Sequence, residues 1–394
     1  MGITVTKYPN FSKCHPLNKL IFMYDDKTIY ANHRERIIDV IDKDNMYLGF
    51  DYRTFLRHRI KFADMNVFNY WQHNVPKYKF EFDTFYSESD DFPYFYPLQK
   101  MVEQSKEIKF DKVDGMINLK AFEKFHDDFT KAFYGIEKNG IKVDRKKFIN
   151  TFNCKSDIIH KDRVYQNYNF FTITSRPSNA INNINYAALT PTQRQCFIPE
   201  NDIFVEFDFD AYHPRLIADM IGYKFPKTPV HEYLSDKYGV DVKEGKNKTF
   251  QYLYGGIPKK VAEEVKFLGD TKDTIAYMWE GWNAKGFEKT HIYKRPLRSE
   301  NLTDMNPQKL FNYYIQSYET ERNVTLLKEL HNYLLDKGTE IVLYNYDSFL
   351  FDYSKEDGKD ILSNIRKILE QNGFVTKLRV GKNYGDMNGN TSIS

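Results

Sequence analysis

Cysteine is scarce in this chain: Cys14, Cys154 and Cys196 are the only three among 394 residues. Their wide spacing matches neither a disulfide framework nor a zinc motif, which suits a reducing compartment. Long apolar runs are also missing. No stretch approaches the roughly 18 residues that span a bilayer, and the opening MGITVTKYPNFSK lacks the apolar centre of a signal peptide. A cytoplasmic protein with no membrane partner is expected. Nor does one sign of charge dominate, since 57 basic and 54 acidic residues leave a net charge of +3; a nucleic-acid surface would have to be a local patch. Internal repeats and low-complexity linkers are absent. The hydrophobic content of 41% is ordinary for a globular chain, and this length allows two or three domains. What the chain has in excess is Tyr (30) and Phe (32), alongside many Asn, Ile and Lys. Bases stack on aromatic rings, but AT-rich codons produce the same mixture without selection for function.

Changes of pattern divide the chain. Residues 1 to 125 mix strand-like pieces (LIFMYDDKTIYA, NMYLGFDY) with the acidic aromatic loop SESDDFPYFYP, and read as an α+β domain. From Leu119 to Ile149 apolar residues recur at helical spacing, broken at Asn139-Gly140 by a turn. A polar stretch to about 185 leads into IFVEFDFD, an alternating strand that ends in acids. Residues 229 to 295 read as mostly helical. GTEIVLYNYDSFLFDYSK predicts a hairpin with an acid at its tip, and a helix over 356 to 371 precedes a last strand, FVTKLRV.

Two constellations carry chemistry. Asp208 ends the first strand and Asp347 tips the hairpin, 139 positions apart. Paired in one sheet, they could hold two Mg²⁺ ions, one activating an attacking hydroxyl and one stabilising the leaving oxygen, because carboxylate oxygens suit this hard cation. Taken singly, each also reads as a turn or cap residue. In the second, Asp241 and Glu244 form the ends of a capping box for a helix running toward Gly255-Gly256. Lys246, Phe250 and Tyr254 then share one face at i, i+4 and i+8. A lysine near the positive helix end followed by two rings could meet a triphosphate and then a base or sugar. The same spacing also describes an amphipathic helix with two core aromatics and a solvated lysine.

These strings resemble the motifs of A-family DNA polymerases, the group of bacterial DNA polymerase I, in the correct order over roughly residues 133 to 387. FDFDAYHPRL is similar to the family's first polymerase motif, which implies Asp208 as metal ligand and Arg215 as its supporting arginine. KNKTFQYLYGG resembles the fingers-helix motif, giving Lys246, Phe250 and Tyr254; YNYDSFLF resembles the third motif and places Asp347 on its aspartate. Five weaker matches lie in register. YGIEKNGIKVD resembles the entry to the thumb and TSRPSNAINN the primer-contacting segment, with Arg176. PVHEY gives His231 as a triphosphate contact, NYYIQ gives Asn312 and Gln316 as minor-groove contacts, and VGKNYGDM resembles the family's C-terminal string. The resemblance implies an α+β right-hand fold: palm from 176 to 228 and 296 to 394, fingers from 229 to 295, and a reduced thumb from 126 to 175. Residues 1 to 125 would be a degenerate exonuclease-like domain. It further implies primer-template DNA and dNTPs as partners, two Mg²⁺ ions with Mn²⁺ as a substitute, and a fingers helix that closes over the nascent pair.

The chain also departs from the family pattern. The arginine one turn before the fingers lysine is Val242, so Lys243 would supply that charge, as a point charge without a fork. The usual His-Asp-Glu is Tyr346-Asp347-Ser348. Asp210, two residues on and on the same face as Asp208 if the strand continues that far, could partly replace the lost acid, or could make a local hydrogen bond or face solvent. About 25 residues separate KVDRKKF from TSRPSN, so the thumb must be a stub and the grip weak unless residues 1 to 125 or a partner protein, a processivity or exonuclease partner, compensate. Asp51, Asp64 and Asp91 do not form the four-carboxylate pattern of a proofreading site. His213 replaces the glutamate that blocks a ribose 2′-hydroxyl, and could act as a wall bonded to Tyr254 or as a recognition group for that hydroxyl. Two other readings remain: a primase or single-subunit RNA polymerase, and an inactive protein that binds primer-template junctions. The joint presence of Asp208, Asp347 and Lys246 argues against the latter, since binding needs none of them.

Overall fold

The computed structural model describes residues 119–153, 158–179 and 184–389, together with five short strands, Leu56, Val67 and Tyr70 in the first 118 residues. Those strands, β1 (Gly2–Val5), β2 (Ile21–Tyr24), β3 (Lys27–Ile29), β4 (Tyr47–Gly49) and β5 (Phe62–Asp64), form a mixed sheet in the order β3-β2-β1-β4-β5. β1 pairs antiparallel with β2 and parallel with β4. The strand-like pieces read near residues 20 and 47 thus enter one sheet. Asp64 ends β5, whereas Asp51, Asp91 and the acidic aromatic loop lie outside the described residues.

Helix α1 (Leu119–Glu137) ends at the anticipated turn, where Gly140 takes φ +65°, and α2 (Arg145–Phe152) follows, capped by the Asp144 side chain on Lys147 N–H. Then come β6 (Ile203–Phe209) and α3 (Tyr212–Ile221), a helical unit of α4 (Val230–Tyr238), α5 (Val242–Gly255) and α6 (Lys266–Lys285), and the long α7 (Pro307–Tyr333). The chain ends with the hairpin β7 (Glu340–Asn345) and β8 (Ser348–Tyr353), α8 (Asp360–Leu369), β9 (Thr376–Gly381) and β10 (Asn388–Gly389). Helix α8 is shorter than its apolar pattern suggests. Gly358 at φ +74° separates it from a short turn at 355–357, and Asn372 at φ +63° breaks the chain direction after it.

Strands β6 to β10 form an antiparallel sheet in the order β7-β8-β6-β9-β10. Because side chains alternate across a strand, Val205, Phe207 and Phe209 of β6 join Phe349 and Phe351 of β8 in one aromatic core. Phe125, Phe129 and Phe133 of α1, Leu327 and Leu330 of α7, and Ile365 of α8 close over it. Phe207 meets Phe351 edge to face at 5.8 Å. Each such ring contributes roughly 1.5 to 3 kcal/mol through burial. The opposite face differs along its length. At one end Phe204 and Leu350 pack beneath Phe148 of α2, and beyond them the side chains become charged.

Helix α7 has no apolar stripe because neighbours surround it: α1, α3, α5, α6 and α8 all pack against it. Its buried polar residues include Ser317, Glu319, Thr320, Glu321, Arg322 and Asn323. Val67 and Tyr70 belong to the main core, and the Tyr70 hydroxyl shares a 2.7 Å hydrogen bond with Ser175 Oγ.

Candidate active site

The charged stretch of the sheet carries Glu206 and Asp208 on one face of β6, and Asp210 follows in the turn just past the strand. Across it, Asp208 lies opposite Ser348 on β8 and Lys377 on β9, and Glu206 lies opposite Arg379. Asp347 occupies the β7–β8 turn, where its carbonyl accepts from Phe209 N–H at 2.8 Å. Sheet pairing therefore brings the two sequence-predicted aspartates together. Burial pushes both carboxyls above the usual range; Arg379, Lys377 and Lys246 oppose this at Asp208, whereas the Asp208 charge adds to it at Asp347. Arg379 spans Asp208 (3.2 Å) and the buried Glu206 (3.3 Å). The strand stops one residue short of Asp210, whose carboxylate is held by Lys377 at 2.5 Å and faces Arg215 at 3.8 Å.

Two backbone reversals set these residues. Tyr346 takes φ +60° in the two-residue turn, a conformation costing on the order of 1 to 3 kcal/mol outside glycine. It is held there by Asn323, whose amide donates to Tyr346 O at 2.8 Å, and by Arg176, whose guanidinium lies 3.7 Å from the ring centre. Ala211 at φ +51° turns β6 into α3, placing His213 and Arg215 in the helix's first turns. Arg215 Nε donates to Asp210 O at 2.9 Å and so ties that reversal together. His213 hydrogen-bonds Glu319 through Nε2 at 2.9 Å and the Tyr254 hydroxyl through Nδ1.

The helical unit faces this platform. Asp241 caps α5 by accepting from Glu244 N–H, while the Glu244 side chain pairs with Lys248 at 2.8 Å instead of completing a capping box. Lys243 and Lys246 are exposed near the helix start. Phe250 and Tyr254 stack nearly parallel, with ring centres 6.1 Å apart. A Cβ on Gly245 would lie 2.0 Å from Ser235 Oγ, so glycine there lets α4 and α5 cross closely. That crossing sets His231 of α4 6.4 Å from the Phe250 ring. His231 Nδ1 is buried with no hydrogen-bond partner among the described residues. Burial first, and then the Lys246 charge, depress its pKa.

Asn312 and Gln316 project from α7, joined by a 2.9 Å hydrogen bond from Gln316 Nε2 to Asn312 Oδ1. Thr174 Oγ1 reaches Gln316 at 3.5 Å and accepts from Arg176 N–H, so the segment bearing Arg176 lies against this part of α7. Four residues at the site escaped sequence reasoning: Glu206, Lys377, Arg379 and Glu319. The strand period could have found the first three, since EFDFD and KLR alternate. Glu319 had no such signal.

The pair Asp208 and Asp347 fits a divalent cation. Burial and the Asp208 charge disfavour the ionised Asp347, which a bound cation would relieve, and the oxygens of both acids are hard donors; Arg379 already pairs with Asp208 and would share it with the ion. Among the described residues no group of three or more His, Cys, Asp or Glu side chains could hold a metal. Substrate phosphates and water would therefore complete the coordination of any ion the two carboxylates hold, as is usual for Mg²⁺.

No family model matches the chain, and no curated protein matches it. Solved structures do, and they define the class: the fold is α+β, that of a DNA polymerase domain. One such structure is the polymerase domain of Pol1 from M. smegmatis in complex with DNA primer-template and dNTP. It superposes with a TM-score of 0.71 at 10% sequence identity, covering 98% of this chain and 96% of that one. Among the described residues no helix is long and apolar enough to cross a membrane.

Proposed function

We propose that this chain is a template-directed DNA polymerase of the A-family type, extending a primer with dNTPs and lacking a proofreading site. The observation that carries the reading is the meeting of Asp208 and Asp347 on one sheet surface, opposite a helix that presents Lys246, Phe250 and Tyr254. On this reading the palm comprises 176 to 228 and 296 to 394, the fingers 229 to 295 and a reduced thumb 126 to 175. On the same reading residues 1 to 125 would be an N-terminal α+β domain of degenerate exonuclease type.

The reaction is attack of the primer 3′-hydroxyl on the α-phosphate of the incoming nucleotide, with pyrophosphate leaving. Asp208 and Asp347 would hold two Mg²⁺ ions, or Mn²⁺ in their place, which when bound supply nucleophile activation and charge neutralisation. The protein's remaining part is positioning and electrostatics. Lys246 and Lys243 attract the triphosphate to the start of α5. His231, kept neutral near pH 7 by its depressed pKa, offers it a hydrogen bond rather than an ion pair. Phe250 and Tyr254 give the base and sugar a stacked surface. Arg176 contacts the primer strand, Asn312 and Gln316 contact the minor groove, and Arg215 stiffens the turn that carries His213. A short thumb would grip DNA weakly, giving poor processivity unless residues 1 to 125 or a partner protein compensate.

A primer-extension assay tests this reading, with dNTPs and NTPs in parallel and with and without Mg²⁺. Extension is expected with dNTPs and Mg²⁺ only. Preferential use of NTPs would favour a primase, and DNA binding without extension in any condition would favour an inactive junction-binding protein.

A further inference from the structure

Glu319 lies on α7 with 1% of its surface exposed, and a buried carboxylate is stable only with partners. It has two: His213 Nε2 at 2.9 Å and Arg176 Nε at 3.5 Å. The other imidazole nitrogen of His213 shares its hydrogen bond with the Tyr254 hydroxyl, and the Tyr254 ring is fixed in turn by stacking on Phe250. Helices α3, α5 and α7 therefore meet at one imidazole, and the segment bearing Arg176 joins them through Glu319.

An imidazole has only two polar atoms. Neutral, it offers one donor and one acceptor; protonated, it offers two donors. In either state Glu319 and Tyr254 occupy both, so a nucleotide sugar meets only the carbon edge of the ring. We propose that Glu319 is a positioning residue for sugar choice: by holding Nε2 it fixes His213 as a wall that excludes a ribose 2′-hydroxyl. This rests on the polymerase reading above. With Nε2 released, the ring can turn and present a nitrogen to the hydroxyl, and exclusion becomes recognition.

The test is single-nucleotide insertion of a dNTP and its matching NTP, read as kcat/KM. It compares the unmodified chain with Glu319→Ala, Glu319→Gln, His213→Ala and the Glu319→Ala/His213→Ala double variant. The preference for dNTP should fall on the order of 10-fold in Glu319→Ala. It should stay within about threefold in Glu319→Gln, which keeps an accepting oxygen. The double variant should be no less selective than His213→Ala, because Glu319 acts through His213. An unchanged preference in Glu319→Ala, or losses that multiply in the double variant, would overturn the proposal. Should Glu319→Ala not fold, Glu319→Gln and His213→Ala carry the comparison, and ¹⁵N NMR of His213 reads the anchor without turnover. A bonded, slowly exchanging Nε2 proton is expected in the unmodified chain, and its absence overturns the proposal whatever the activity. A chain that shows this proton yet extends no primer overturns the polymerase reading, and the sugar role with it, while the anchor itself stands.

Discussion

On one face of the five-stranded sheet, Phe207, Phe209, Phe349 and Phe351 are closed over by three helices; one residue along each strand, Glu206, Asp208, Lys377 and Arg379 occupy the other. The two faces share a backbone and differ only in which alternate residues of each strand they carry. The aromatic face holds the strands in register. The charged face gains from that register two acids at a fixed separation, and bears a cost, because burial and like charge both oppose ionisation of Asp208 and Asp347. Packing and charge are thus divided between alternate positions of the same strands.

The division is most sharply tested by substitutions that affect one face alone. Asp208→Asn is expected to lower primer extension by at least about 10³-fold, since it removes a charge that acts mainly in the transition state. DNA affinity, measured by fluorescence anisotropy, should change little, because phosphate contacts supply it. Near-normal extension would remove Asp208 from the reaction.

On the other face, Phe207→Ala leaves a cavity in a fully buried core and should cost about 3 to 5 kcal/mol in chemical denaturation. Extension per folded molecule should stay near that of the unmodified chain. If activity fell much further than the folded fraction, the two faces would not be separable.

The smallest expected effect concerns stability and pH. The Asp347 carboxyl is raised above its ordinary 3.8 in the folded protein, so the folded state holds the proton more tightly than the unfolded chain. Its stabilising effect is complete below the ordinary value and is lost as pH rises through the folded value. Above that window the ionised Asp347 is a liability. In metal-free buffer Asp347→Asn should therefore raise Tm at pH 7 by on the order of 1 to 3 °C, with the gain fading as pH falls through the raised folded value and gone below the ordinary 3.8. A lower Tm at neutral pH would mean that the charge is compensated.

Much of this was legible in the sequence, for reasons of period. The alternation in IFVEFDFD and in the hairpin gave the strands and their acid-bearing ends, and Asp241 with the i, i+4, i+8 spacing gave α5 and its face. Asp208 and Asp347 were brought together by the pairing that the strand pattern implied. Two kinds of feature were not legible. Helix α7 is buried on every side, so its polar residues follow no stripe, and Glu319 makes sense only beside His213, 106 positions earlier. The length of α8 was misread because backbone breaks at Gly358 and Asn372, rather than the apolar pattern, set its limits. The sugar question left open by His213 also turned on a partner distant in the chain.

The central claim, that Asp347 contributes to a metal centre and not merely to a turn, is tested most directly by exchanging its oxygens for sulfur. Asp347→Cys should lose extension by about 10²-fold or more in Mg²⁺, which binds thiolate poorly, and recover a measurable part of it in Mn²⁺, which accepts softer ligands. Extension by this variant in Mg²⁺ at the rate of the unmodified chain would contradict the account.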